Sequence, residues 1–301
     1  MDAILFYFTT IIAAVLVCCA IFFLFFFLTS LFDAREKRVK KSRAKFYITG
    51  PIGVGVNFID VLGVGSFAPA TGLLKFFRQC PDRLLPGTLN AGFTIPVVYQ
   101  AIVFVDVIVV DPVTLMAMMV AAAAGAFAGA SVVSRLSAQV IRIGLGLALI
   151  VTAGFMVGDI LGMNPAGGHS VGLTGEALAI GVGVNFVLGA LMAIGVGFYA
   201  PCMALVYYLG MDPRVAFPIM MCSSALLMSL ASIRFIRAGA IDHTCCLFMT
   251  IFGCLGVYLA IPHVATIDIS LLKQVVIAIT VLASLSMFFS FIHYRPGSGK
   301  V

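Results

Sequence analysis

Two short segments of the sequence combine glycine, proline and hydrogen-bond donors in a way that suits anion binding. GVGSFAP at 63–69 is echoed by GVGFYAP at 195–201, with five of seven positions identical. The glycines allow a turn, and the prolines suit the first turn of a helix. A helix that begins there points free N–H groups and a positive dipole end at a ligand. Two such starts predict an anion site without a buried Lys or Arg.

Neutral polar residues near these segments are the candidate substrate ligands. The string IGVGVNF occurs at 52–58 and again, identically, at 180–186, and each occurrence contains one asparagine. The two asparagines bind substrate or satisfy backbone groups exposed by a broken helix. Ser223 lies in the polar turn 222–224, the counterpart of Thr88-Leu89-Asn90, and binds substrate or joins two helices. The candidates are Asn57, Gly63, Gly65, Ser66, Asn90, Asn185, Gly195, Gly197, Tyr199 and Ser223.

Asp60 is the one acidic residue in the stretch 46–77 around the first of these segments. A carboxylate at membrane depth is a functional candidate, here a proton carrier that couples transport. The alternative is structural, with the carboxylate accepting backbone N–H bonds at the break. The second copy of the pattern has no counterpart to this acid. Gln100 and Asp106 are expected nearer a membrane border and solvated.

Other chemistries are poorly supported by the sequence. The eight cysteines form no CxxC pair and the four histidines show no zinc-ligand spacing, so no metal or other cofactor is expected. GVGSFA and GVGFYA fit a dinucleotide fingerprint, but apolar sequence surrounds them where a soluble βαβ unit is required. The sequence contains no clustered nucleophile and base. An enzyme is therefore not expected.

The composition predicts an integral membrane protein. Of 301 residues, 62% are hydrophobic and 10% are charged, whereas soluble domains carry about 25% charged residues. A formal net charge of +6 would suit a nucleic-acid partner, but seven of the 18 basic residues lie within 35–45. That cluster is typical of the cytoplasmic flank of a membrane span, so the lipid bilayer is the expected partner.

The apolar runs predict seven full membrane crossings. The first covers 3–32, and the others cover 84–105, 113–133, 143–162, 215–233, 244–262 and 270–292. Two further segments, 46–77 and 176–209, exceed thirty residues and contain Gly and Pro near their middles. They are predicted to be broken helices.

The distribution of basic residues predicts that each broken segment returns to the side it started from. In that arrangement 16 of the 18 Lys and Arg residues lie inside, whereas two crossing segments would leave seven outside. The positive-inside rule favours the first arrangement. It places the N-terminus outside and the C-terminus in the cytoplasm of a multi-pass cell-membrane protein.

The repeated strings divide the chain into two copies of one unit. An N-terminal helix and basic linker occupy 1–45, the first copy 46–162, the second copy 176–292 and a cytoplasmic tail 293–301. Each copy has a re-entrant broken hairpin and three crossings, an odd number, so the copies are predicted to be inverted. Inverted repeats with broken helices are typical of alternating-access transporters. The glycines of 125–129 and 154–162 predict close helix packing, with homodimer formation as a second use.

With these motifs in place, the sequence resembles the TauE/SafE family of sulfite and organosulfonate exporters. The likeness covers about 46–292 and rests on the two Gly-rich breaks before Pro, together with NFIDVLGVGSFAPAT at 57–71. The resemblance implies outward transport of a small sulfur oxyanion, sulfite or a C2 sulfonate, without a redox or metal cofactor. The alternatives are transport of thiosulfate, a carboxylate or a cation held by Asp60 and break carbonyls.

Overall fold

The fold is described from a computed structural model of the chain. It covers residues 2–36, 42–163 and 168–263 apart from positions 194 and 196, and the single positions 281 and 285. The predicted crossing 270–292, the tail 293–301 and part of the basic linker lie outside the described residues.

The described part of the chain is built from α-helices. Short 3-10 turns precede α4 and α9 and follow α10. The helices are α1 (Asp2–Glu36), α2 (Phe46–Val61), α3 (Phe67–Phe76), α4 (Leu85–Val107), α5 (Pro112–Val133), α6 (Ala138–Ile160), α7 (Gly175–Met192), α8 (Tyr199–Tyr208), α9 (Ala216–Arg237) and α10 (His243–Ala260).

Six described segments are long and apolar enough to cross a membrane. Five correspond to predicted crossings and lie at Tyr7–Asp33, Asp82–Val107, Pro112–Val133, Ala216–Arg237 and His243–His263. The sixth is α7, whose 18 residues meet the length needed although it is the first arm of a broken segment. The predicted crossing at 143–162 is helical within α6, where the apolar stretch Gln139–Phe155 is shorter.

Both predicted helix breaks are present. The first separates α2 from α3 between residues 61 and 67, and the second separates α7 from α8 between residues 192 and 199. Gly63, Gly65 and Gly195 have φ angles of 82°, 92° and 111°, which L side chains adopt only with strain. The prolines Pro69 and Pro201 are the third residues of α3 and α8. Their missing N–H groups therefore cost no helix hydrogen bond.

The two ends of each broken segment lie side by side. Before α2, the Lys45 N–H donates to Gln79 Oε1 beyond α3 at 2.8 Å. Before α7, the Ser170 carbonyl accepts from the Asp212 N–H beyond α8 at 2.8 Å. A second hydrogen bond in the same place joins Gly168 N–H to the Met211 carbonyl at 2.9 Å.

The broken helices pack on helices of the opposite copy. α2 lies against α10, where Gly50 contacts Phe252 and Gly256 contacts Val54. α7 lies against α5, where Asn185 donates to the Met118 carbonyl and Gly189 contacts Ala122. In both pairs, residues later in one helix contact residues later in the other, so the paired helices run parallel.

Helices α4 and α9 run antiparallel at the centre of the fold. The hydroxyls of Thr94 and Ser232 lie 3.4 Å apart, and Cys222 Sγ lies 3.9 Å from the Ala101 carbonyl oxygen. Helix α4 runs parallel to α10 instead. There Cys246 Sγ bonds the Thr88 carbonyl, and one turn further along the Thr250 hydroxyl bonds the Gly92 carbonyl.

The glycines predicted to allow close packing behave differently in α5 and α6. In α5, a β-carbon at Gly125 or Gly129 would meet backbone atoms of Phe186 or Ala190, which confirms close packing against α7. In α6, a β-carbon at Gly154 would find no atom within 4 Å in the described part of the chain. The described residues therefore leave the close packing predicted at Gly154 as a prediction.

Two aspartates at equivalent places in the copies cap helices. Asp111 Oδ2 accepts from the N–H and the hydroxyl of Thr114, both at 2.8 Å, at the start of α5. Asp242 Oδ1 accepts from the Cys245 N–H at 3.0 Å at the start of α10. Each carboxylate satisfies an N–H group that the helix itself leaves unpaired.

Loss of the α5 cap is expected to lower stability modestly. Replacing Asp111 by Ala should reduce the free energy of unfolding by about 1 kcal/mol, because a first-turn N–H loses its acceptor. Thermal unfolding of the purified protein in detergent measures this change. Asp111→Ser retains a capping oxygen and is the control. Equal losses for the two variants would show that capping is not the cause.

Candidate functional site

The two helix breaks line one small cavity. Its walls are residues 60 and 64–68 from the first break, 192 and 197–200 from the second, and Met228 of α9. The free volume is about 20 Å³, room for about one water molecule. Both helix breaks therefore contribute to a single cavity.

The starts of α3 and α8 both border this cavity. Phe67 and Tyr199, the first residues of these helices, are lining residues, as are Ser66 and Phe198 just before them. First-turn N–H groups have no helix carbonyl to bond and carry the positive end of the helix dipole. Two such ends at one cavity favour a negatively charged group.

Asp60 lies in the cavity wall and is almost completely buried. Its carboxylate accepts from Gln100 Nε2 at 2.9 Å and from the Tyr199 hydroxyl at 3.3 Å. The Ser66 hydroxyl and N–H lie near the carboxylate as further donors. The carboxylate therefore accepts side-chain hydrogen bonds at the break, whereas the structural alternative of the sequence analysis called for backbone N–H donors. The functional alternative remains a proposal.

The expectation that Gln100 is solvated was wrong. The side chain is fully buried in α4 and donates to Asp60. The position of Gln100 along α4 suggested a place near the membrane border. Its side chain is nevertheless buried because its face of α4 points toward the first break. A single amide in an otherwise apolar stretch was the signal available in the sequence. Asp106, by contrast, is exposed as expected.

Four of the predicted ligand residues meet at the cavity. They are Gly65 and Ser66 from the first break and Gly197 and Tyr199 from the second. Asp60, the predicted coupling residue, joins them. This set contains two hydroxyl groups and one carboxylate.

The two asparagines of the repeated string lie elsewhere. Asn57 donates to the Gly53 carbonyl of its own helix at 2.9 Å and contacts Gly253 of α10. Asn185 donates to the Met118 carbonyl of α5 at 2.9 Å and lies 3.6 Å from Cys202 Sγ. Both contribute to helix contacts in this conformation, and neither lines the cavity.

The remaining candidates surround the site without lining it. Gly63 and Gly195 form the turns, next to Phe217 and Leu145 respectively. Asn90 donates to the Pro86 carbonyl at 2.8 Å within α4. The Ser223 hydroxyl is buried in α9 without a hydrogen-bond partner among the described residues. Their roles as substrate ligands remain predictions.

Metal ligands do not cluster in the described part of the chain. No group of three or more His, Cys, Asp or Glu side chains there could hold a metal ion. The eight cysteines are free thiols, and five of them are buried. The chemistry of the site is that of hydrogen bonds, helix dipoles and one carboxylate.

The apolar helices define a multi-pass membrane protein, with a small cavity lined by both helix breaks. A model of the sulfite exporter TauE/SafE family matches residues 3–156, just over half of the chain. The chain belongs to this family of membrane transporters. No curated protein and no solved structure matches it.

Proposed function

We propose that this protein is a secondary transporter that exports sulfite or a C2 sulfonate across the cell membrane by alternating access. The anion binds between the starts of α3 and α8. The observation that carries the proposal is the single cavity bordered by both helix starts. Family membership supports anion export, and the choice of a sulfur oxyanion rests on the family alone.

The helix directions support an inverted relation between the two copies. Helices α2 and α4 both run parallel to α10, and α7 runs parallel to α5. The short link at 108–111 reverses the chain between α4 and α5. The first arms α2 and α7 therefore run in opposite directions. In such a fold one copy can rock against the other around a central site.

The contacts at the ends of the broken segments support two re-entrant hairpins. Each segment finishes within hydrogen-bond distance of its own start, at Lys45 and Gln79 in one copy and at Ser170 and Asp212 in the other. Although α7 is long enough to cross, α8 brings the chain back beside it. This arrangement agrees with the charge distribution that places the N-terminus outside and the C-terminus in the cytoplasm.

The narrow cavity corresponds to a closed conformation of the transporter. A sulfite ion has four heavy atoms and does not fit a free volume of about 20 Å³. Binding therefore requires the starts of α3 and α8 to move apart. Because each start belongs to a different copy, this movement is the same rocking that opens the site to one side.

The arrangement of donors supports an anion over a cation. Gln100 and Tyr199 donate to the Asp60 carboxylate, and the donors of Ser66 lie nearby. A cation needs oxygen lone pairs in that position instead. Thiosulfate and small carboxylates present the same kind of acceptor as sulfite and are the alternative substrates.

Removing either hydroxyl at the cavity is expected to weaken transport. Ser66→Ala and Tyr199→Phe should each lower the apparent affinity for sulfite about 10-fold or more, because a hydrogen bond to a charged group is worth about 1.5–3 kcal/mol. Counterflow of radiolabelled sulfite into proteoliposomes measures this effect.

The control variants remove equivalent hydroxyls away from the cavity. Tyr208 lies at the other end of α8 and is exposed, and the Ser131 hydroxyl donates to the Phe127 carbonyl of its own helix. Tyr208→Phe and Ser131→Ala should transport as the wild type does. Unchanged transport by both cavity variants would remove the cavity from the pathway, and no flux of any tested anion by the wild type would overturn the proposed function.

A further inference from the structure

We propose that Asp60 is a proton-binding site whose carboxylate competes with the transported anion for the same donors, so that each anion binds together with one proton. This inference rests on the proposed function, because it concerns the same cavity. The proton is the second ligand of the site.

The donors around Asp60 are those that an oxyanion at the cavity would use. The Ser66 hydroxyl and N–H lie at the start of α3, and the Tyr199 hydroxyl lies at the start of α8. A carboxylate presents two acceptor oxygens, as a sulfonate or sulfite group presents three. In this conformation the Asp60 carboxylate thus takes the place of a bound anion at these donors.

An anion and an ionised Asp60 cannot share this site at low cost. The two like charges would lie within a few ångströms of each other in a buried cavity, where repulsion is weakly screened. Protonation removes the charge of Asp60 and releases the donors. Binding of the anion therefore favours binding of the proton, and the reverse holds by linkage.

Gln100 can bond to both protonation states of Asp60. Its Nε2 group donates to the ionised carboxylate, while its Oε1 atom is buried without a partner among the described residues. Rotation of the amide by half a turn would bring Oε1 to Asp60, where it could accept the carboxylic O–H. The side chain that the sequence analysis misplaced thus supplies an acceptor for the proton.

The groups that face Asp60 make it the titrating member of the site. The titratable neighbour is Tyr199 on α8, with Cys202 and Cys222 near its phenol group. The first break contributes Ser66 and α4 contributes Gln100, neither of which titrates. Asp60 has no counterpart in the second copy. Asp60 comes three residues after Asn57, and the residue three after Asn185 is Leu188. The chain therefore carries one such site.

The proton balance of a transport cycle follows directly. One proton binds to Asp60 as the anion binds, and both leave on the other side of the membrane. The only bond that forms and breaks is the O–H bond of Asp60. A singly charged sulfonate would then move without net charge, and doubly charged sulfite with one negative charge.

The test counts protons during anion binding to the purified full-length protein. Isethionate and thiosulfate are the probes, because neither titrates between about pH 5 and pH 9. Calorimetric titrations in buffers of different ionisation enthalpy give the protons taken up per anion. On the alkaline side, wild-type affinity should fall about tenfold per pH unit, with uptake approaching one proton. Asp60→Asn should bind without proton uptake and with an affinity independent of pH.

Asp212→Asn is the matched control. Asp212 lies in the exposed link after α8, where hydrogen bonds from Arg214 lower its pKa to about 2. It therefore stays ionised throughout the titrations, and its loss should leave proton uptake unchanged.

The outcomes separate this inference from the proposed function. Anion binding by the wild type without proton uptake overturns the inference and leaves the anion site intact. Failure of isethionate, thiosulfate and sulfite to bind overturns the proposed function and the inference with it. If only sulfite binds, its own protonation is subtracted before the protons are counted. The number of protons that the wild type takes up per anion tests the inference even if Asp60→Asn does not fold.

Discussion

Replacing Gly63 and Gly65 together by alanine is expected to lower sulfite transport more than about tenfold and to destabilise the protein by about 2–4 kcal/mol. Both residues have φ angles in the left-handed region, at 82° and 92°. A side chain there costs about 1–2 kcal/mol per residue. A β-carbon at Gly63 would also lie 3.1 Å from the Phe217 ring. The first break must therefore shift, and with it Ser66 and the start of α3.

Gly55→Ala is the control for this double variant. Gly55 lies in α2, and a β-carbon there would find no described atom within 4 Å. Alanine should be neutral or slightly stabilising, since it favours helix over glycine. Thermal unfolding in detergent and sulfite counterflow are measured on the same preparations. Wild-type stability and flux in the double variant would show that the break does not depend on these glycines.

Replacing Gly189 by alanine is expected to destabilise the protein by about 1–3 kcal/mol, the usual cost of an overpacked contact. Its β-carbon would clash with the Ala122 carbonyl oxygen of α5. A backbone group cannot rotate away as a side chain can, so α7 must move away from α5. The expected result is a lower unfolding temperature in detergent, with reduced transport because α7 leads into the second break.

Gly183 offers a control on the same helix. A β-carbon there would have no described neighbour within 4 Å. Gly183→Ala should raise the unfolding temperature slightly or leave it unchanged, whereas Gly189→Ala should lower it. Gly125 faces Phe186 in the same contact between α5 and α7. Gly125→Ala should therefore destabilise too, and combining it with Gly189→Ala should cost less than the sum. Equal effects of the alanines at 183 and 189 would contradict this account of the helix contact.

The helix breaks could be predicted from the sequence because their causes are local. Glycines that permit positive φ angles and prolines that fit a first helical turn lie within seven residues of one another in each copy. The apolar crossings were equally accessible, since membrane lipid imposes the same requirement on every turn of a helix. Neither feature depends on how distant parts of the chain meet.

The surroundings of Asp60 could not be predicted in this way. Tyr199 is 139 residues away in the sequence, and its contact with Asp60 depends on how the two copies dock. Gln100 reaches Asp60 because its face of α4 is turned toward the first break. In a helix that is apolar on most sides, the sequence does not indicate which face points in which direction. Polar residues in an apolar helix indicate a buried contact without naming the partner.

The position of Asn57 carried a signal that favoured helix contact. Gly50, Gly53 and Asn57 are spaced so that they share one face of α2, and that face lies against α10. A stripe of small residues ending in an amide is typical of a helix–helix contact in membranes. The second asparagine, Asn185, likewise lies at the contact between α7 and α5.

The location of a bound anion tests the central claim most directly. Selenite has the shape and charge of sulfite, and selenium can be located by its anomalous X-ray scattering. Crystals grown near pH 5 and soaked in selenite are expected to show selenium between the starts of α3 and α8, with its oxygens within hydrogen-bond distance of the Ser66 and Tyr199 hydroxyls. Ordered selenium elsewhere in the protein, with none between these helix starts, would contradict an anion site shared by the two breaks.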